Sequence, residues 1–141
     1  MDAIGSSLCP FDLNQILGKE NAMAHGPRFE RLAAEAQEKV RDVSAAEAGE
    51  IYENGGLLID VREGDEFAKE HAVGAKHLSR GVLEMKIEAE APDANQPIVL
   101  YCGGGKRSAL AAESLGRMGY ANVSSLIGGF KAWKEAGFGV E

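Results

Sequence analysis

The chain has 141 residues, 45% of them hydrophobic and 26% charged, which suits one globular domain plus an appended segment and excludes global disorder. With 15 Lys and Arg against 22 Asp and Glu the net charge is −7, so neither nucleic acid nor an anionic membrane is expected as a partner. Two cysteines, Cys9 and Cys102, are too few for a disulfide scaffold, and no Cys-x-x-Cys pair supports a thiolate zinc site. Free thiols, with no secretory leader and no apolar run near the roughly 20 residues of a bilayer span, point to the reducing cytoplasm.

Residues 1–38 read as an N-terminal extension, partly helical or mobile, and 39–141 as the folded domain. A helix is predicted from 28 to about 39, entered at Pro27, with Phe29, Leu32, Ala33 and Ala36 on one weakly apolar face. Val40 to Val43 suits an edge strand. Ser44 followed by Glu47 forms a capping box for a helix over 45–54, which Gly55-Gly56 ends. Leu57 to Val61 is a continuous apolar run, as in a parallel strand buried on both faces. A short helix over 65–70, a short strand over 75–78 and a helix over 82–89 follow. Ile98 to Tyr101 is the strongest strand signal, and the next helix runs to about Met118. Val123 to Ile127 is the last strand, Gly128-Gly129 a turn, and 130–135 the last helix, carrying Trp133. Alternating strands and helices make the class α/β with a mostly parallel sheet, whose sites form at the carboxyl ends of strands.

One such strand end carries chemistry. Cys102 follows the 98–101 strand, and Gly103, Gly104, Gly105, Lys106, Arg107 and Ser108 lead into the next helix. A cysteine attacks only as its thiolate, which converging amides at a helix N-terminus favour. Successive glycines let a backbone curl into an anion-binding nest, and two cations add positive potential. A tight turn holding a small buried cysteine is the blander reading. Strand, glycines, cations and helix in this order favour covalent catalysis through Cys102.

Four blocks in order and spacing resemble the rhodanese family. They are Ile59-Asp60-Val61-Arg62-Glu63, His71-Ala72-Val73-Gly74-Ala75, Cys102 to Ser108, and Gly128-Gly129-Phe130-Lys131-Ala132-Trp133. Together they cover about 39–141. The resemblance implies a parallel sheet of about five strands with helices on both faces. It implies sulfurtransferase activity through a persulfide on Cys102, cradled by the amides of Gly103 to Ser108. The expected donor is a small anionic sulfur compound such as thiosulfate. The acceptor is cyanide, a thiol or a protein, and no metal or organic cofactor is needed. Two departures stand out: Ala72-Val73-Gly74-Ala75 replaces the family's frequent Ile-Pro-Gly-Ala, and Gly103 and Gly104 stand where thiosulfate-using members often carry bulkier or cationic residues.

A sulfur-carrier or docking module with a protein acceptor is the alternative, and a cysteine phosphatase ranks below it. Cysteine phosphatases need Cys-x5-Arg, and here that position is Ser108. Asp60 and Arg62 read as a supporting ion pair rather than catalytic groups, or Asp60 pairs with Arg107. His71 and His77 read as structural or solvated, His25 as part of no cluster, and Trp133 as core rather than pocket wall. Arg80 reads as a surface cation rather than a rim group, and Cys9 as a tail residue rather than a relay thiol.

Overall fold

The protein is represented by a computed structural model that describes residues 25–141. Expectations for residues 1–24, including Cys9, lie outside the described residues. The chain divides into two units between Arg31 and Leu32. In the first, the ring of His25 meets Phe29 edge-on at 4.6 Å. Helix α1 (Pro27–Lys39) starts one residue before the expected 28, with Pro27 in its first turn. Ala33 and Ala36 are buried, whereas Leu32, placed on the apolar face by its spacing, is 54% exposed.

The second unit is built on five parallel strands: β1 (Arg41–Val43), β2 (Leu57–Asp60), β3 (Lys76–His77), β4 (Ile98–Tyr101) and β5 (Val123–Leu126), in the order β1-β5-β4-β2-β3. Four helices connect them, α2 (Ala45–Glu53), α3 (Gly64–Lys69), α4 (Leu83–Glu90) and α5 (Lys106–Arg117), and α6 (Gly129–Glu135) follows β5. The capping box at the start of α2 is present, with Glu47 N–H donating to Ser44 Oγ at 3.1 Å and Ser44 N–H to Glu47 Oε1 at 2.8 Å. The helix expected over 82–89 is split into a 3-10 turn (Arg80–Val82) and α4.

Strand alternation sorts the core between the sheet's two faces. Ile59, Ile98, Leu100 and Cys102 pack with Leu83 and Ile87 of α4 and with Ala111 and Leu115 of α5. Leu58, Val99, Tyr101 and Leu126 pack on the opposite face with Ala48 of α2 and with Phe130 and Trp133 of α6. Helices therefore cover both faces; β4 is apolar on both sides, whereas the central strand β5 buries Ser124 and Ser125. Trp133 is 4% exposed, and its indole N–H donates to Gly139 O at 2.9 Å, so it is core, on the face opposite Cys102.

The C-terminal residues add a pairing that no local pattern announced. Val73 N–H donates to Gly139 O and His71 N–H to Glu141 O, both at 3.0 Å, and Glu141 N–H returns to His71 O at 2.8 Å. Ala72 and Val140 face each other in an antiparallel bridge. Ala72 N–H also donates to the hydroxyl of fully buried Tyr101 at 3.0 Å, tying this segment to the middle of the sheet.

Candidate active site

β4 ends at Tyr101 and α5 begins at Lys106, so Cys102 to Gly105 make a four-residue passage from strand to helix. Cys102 is 1% exposed. Gly105 N–H donates to its Sγ at 3.0 Å and Ser108 N–H at 3.4 Å. The thiol in turn faces Ser108 Oγ at 3.6 Å. These contacts place two backbone donors, Gly105 N–H and Ser108 N–H, on the sulfur.

The outer side of the loop explains why its amides face inward. Phe130 N–H donates to Cys102 O at 2.7 Å and Lys131 N–H to Gly103 O at 3.4 Å. The first turn of α6 thus takes up the loop carbonyls. Gly129 makes this possible, because its φ is +59° and a Cβ there would run into the Cys102 and Gly103 carbonyl groups. The Gly128-Gly129 pair is therefore the clamp of the cysteine loop rather than a simple turn.

The three loop glycines serve different ends. Gly105 alone adopts a left-handed backbone, at φ +106°, and a Cβ on it would press on Gly128 N at 3.3 Å. Gly103 leaves space for Arg107, since a Cβ there would lie 3.2 Å from Arg107 Nη2. Gly104 is exposed, and nothing lies within 4 Å of where its Cβ would be.

Arg107 does not pair with Asp60. Its partner is Glu66 on α3, held by two bonds, Nη1 to Oε1 at 3.0 Å and Nη2 to Oε2 at 3.3 Å. Glu66 Oε1 also accepts from Glu63 N–H at 3.0 Å, which fixes the carboxylate at the start of α3. The Arg107 guanidinium holds the Glu66 carboxyl below the usual carboxylate range. Reciprocally, Glu66's hydrogen bonds raise the Arg107 pKa against the effect of burial, and the Cys102 sulfur adds to the rise. Arg107 is thus a cation of the cysteine loop's helix held by the Glu66 carboxylate. Lys106, half-buried, opens α5 beside it.

Asp60 and Arg62 form a separate, closed cluster. Arg62 Nη2 lies 2.6 Å from Asp60 Oδ2, and Asp60 also accepts from Arg62 Nε and from Arg62 N–H. Arg62 Nη2 donates to Glu70 O at 2.7 Å, and the guanidinium lies 4.5 Å from the Phe130 ring centroid. Burial works against the charge, but Asp60 outweighs it and leaves the Arg62 pKa above its ordinary value. The pair ties β2 to the end of α3 and to α6, as a supporting ion pair should.

The other singled-out residues are tied elsewhere. Phe67 is stacked by both His71, at 3.7 Å, and His77, at 4.8 Å. His71 Nδ1 lies 2.8 Å from Phe67 O, and His77 Nε2 donates to Arg62 O at 2.8 Å. Arg80 pairs with Glu84 at 2.8 Å. Among the described residues no group of three or more His, Cys, Asp and Glu side chains is placed to hold a metal ion. Sequence reasoning missed Glu66, Gly129's clamp, and Ser125, whose hydroxyl lies 2.8 Å from that of Ser108.

Comparison with known proteins follows the same outline. A rhodanese-like domain matches residues 44–136. The thiosulfate sulfurtransferase GlpE of Coxiella burnetii is 37% identical over 95 residues, which cover 67% of this chain and 87% of that protein. Among solved structures, the polysulfide-sulfur transferase homodimer of Wolinella succinogenes superposes with a TM-score of 0.71 at 26% identity, covering 89% of this chain and 92% of that one. A Rhodopseudomonas palustris protein of unknown function, described as a possible tyrosine phosphatase, superposes with a TM-score of 0.70 at 30% identity, covering 84% and 96%. Among the described residues no helix is long and apolar enough to cross a membrane.

Proposed function

The chain belongs to the rhodanese-like domain family and is a sulfurtransferase of the thiosulfate sulfurtransferase type, and we propose that Cys102 carries the transferred sulfur as a persulfide. The observation that carries this reading is the pair of amides, Gly105 and Ser108, aimed at the buried Sγ. They favour the thiolate before attack and provide donors for charge on the sulfur group afterwards. The remaining loop amides, from Gly103, Gly104, Lys106 and Arg107, are assigned by this reading to the bound donor, and the Lys106 and Arg107 side chains to positive potential for its charge.

In the first step the Cys102 thiolate attacks the outer sulfur of thiosulfate. The Sγ–S bond forms, the donor's S–S bond breaks, and sulfite leaves with that bond's electron pair. In the second step cyanide or a thiolate attacks the outer sulfur of the persulfide, forming thiocyanate or a new persulfide and returning the Cys102 thiolate. Atoms and charge balance without an external oxidant or reductant. A protein acceptor fits the same scheme. The reaction belongs in a reducing, cytoplasmic setting, in keeping with a free thiol at Cys102. It is assigned to residues 39–141 and not to the 1–38 extension. Phosphate chemistry is not favoured, because the sixth position after Cys102 is Ser108.

The test is a single-turnover measurement. Mixed with thiosulfate and no acceptor, the protein releases one equivalent of sulfite per chain and then stops. Cys102→Ser releases none. Continued release without acceptor, or a burst from the serine variant, would overturn the persulfide on Cys102.

A further inference from the structure

We infer that Ser125 is a positioning residue for the Cys102 thiolate, acting through the hydroxyl of Ser108; the inference rests on Cys102 being the nucleophile. Ser125 sits in β5 and Ser108 in the first turn of α5, at 1% and 0% exposure. Their hydroxyl oxygens are 2.8 Å apart. Among the described residues Ser108 is the only hydrogen-bond partner of the Ser125 side chain.

That single contact decides which hydroxyl donates. A buried hydroxyl hydrogen without an acceptor is costly. If Ser108 donated to Ser125, the Ser125 hydrogen would be stranded. Ser125 therefore donates, and Ser108 Oγ accepts. The Ser108 hydrogen is left to choose between Gly105 O, at 3.2 Å, and Cys102 Sγ, at 3.6 Å.

The choice follows the state of the sulfur. With Cys102 protonated, its S–H donates to Ser108 Oγ, Ser125 donates to the same oxygen, and Ser108 donates to Gly105 O. The Ser108 hydroxyl is then at its full capacity of two bonds accepted and one donated. When the thiol loses its proton, Ser108 can turn its hydrogen to the sulfur and join the amides of Gly105 and Ser108 as a third donor. Ser125 anchors the oxygen through this turn and polarises the O–H it points at. The charged residues at the start of the helix that follows the sulfur are Lys106 and Arg107 on α5, and Arg107 is paired with Glu66 on α3. Ser125 carries no charge, so its influence runs through the hydroxyl chain alone.

The experiment uses the full chain in a Cys9→Ser background, so that one thiol titrates. Ser125→Ala, Ser108→Ala, the double variant and Ser125→Thr are compared by ultraviolet thiolate absorbance and by the pH profile of the sulfite burst. Ser125→Ala is expected to move the thiolate midpoint upward by roughly half a unit to one unit relative to the parent, the scale of one hydrogen bond. The burst at neutral pH slows about threefold to tenfold with it. Ser108→Ala shifts the midpoint at least as far, the double variant matches Ser108→Ala, and Ser125→Thr titrates like the parent. An unmoved midpoint in Ser125→Ala, additive shifts in the double variant, or a threonine variant that behaves like the alanine one would overturn the inference. Loss of the burst in the parent would instead sink the Cys102 reading itself.

Discussion

β2 and β4 are neighbours in the sheet, and each is followed by a charged, reversing segment, yet the two strand ends do opposite work. After β2, Asp60 and Arg62 satisfy each other, with Asp60 fully buried and the Arg62 side chain 7% exposed. After β4, Cys102 is surrounded by backbone donors, and the nearby Arg107 side chain is 32% exposed and held by a single carboxylate. A strand end whose charges are mutually saturated braces the fold. One whose donors converge on a nucleophile is left with capacity for a substrate. Two arginines, each beside a carboxylate, are therefore not equivalent.

Removing each arginine breaks the comparison most sharply. Arg62→Ala leaves Asp60 buried without its cation and should destabilise the fold by about 3–5 kcal/mol. Urea unfolding measures this, and a loss below about 1 kcal/mol would show that the cluster is not a brace. Arg107→Ala should do the reverse: stability changes little, because its pair with Glu66 is partly exposed. The first step with thiosulfate should slow roughly tenfold to hundredfold, the scale of one charge-assisted hydrogen bond. Lys106→Ala should slow it less, and the double variant more than either alone. A rate unchanged from wild type in the double variant would leave the backbone nest as the whole anion site.

A smaller effect is expected in the pH dependence of stability. Arg107 holds the folded Glu66 carboxyl below its unfolded range. The stabilisation is therefore present above the ordinary carboxylate range and fades as pH falls through the depressed folded value. Glu66→Gln should flatten this part of the acid limb in a pH series of melting curves. The smallest effect is expected from the N-terminal segment. Deleting residues 1–27, or Cys9→Ser, should leave turnover with thiosulfate and cyanide within about twofold, a change near 0.4 kcal/mol in barrier. A severe loss in folded truncated protein would show that the segment completes the site.

What was legible in the sequence was local. Ser44 and Glu47 announce a capping box because the whole motif spans one helical turn. Cys102 to Ser108 announces a strand-end nest for the same reason, and the alternation of strands and helices gives the fold class. What was not legible depends on partners far along the chain. Glu66 reaches Arg107 across 41 residues and Ser125 reaches Ser108 across 17, and neither carries a pattern of its own. Glycine content marked the loop as special but not which glycine bends, which makes room and which clamps from outside. That division follows from where Arg107 and α6 pack, and a single-chain pattern holds no record of it.

The most direct test of the central claim is the intact mass of the wild-type chain and of Cys102→Ser after exposure to thiosulfate. The account predicts a gain of roughly 32 Da, one sulfur atom, on the wild type alone, mapped to Cys102 and removed by cyanide. No gain in the wild type, or the same gain in Cys102→Ser, would contradict it.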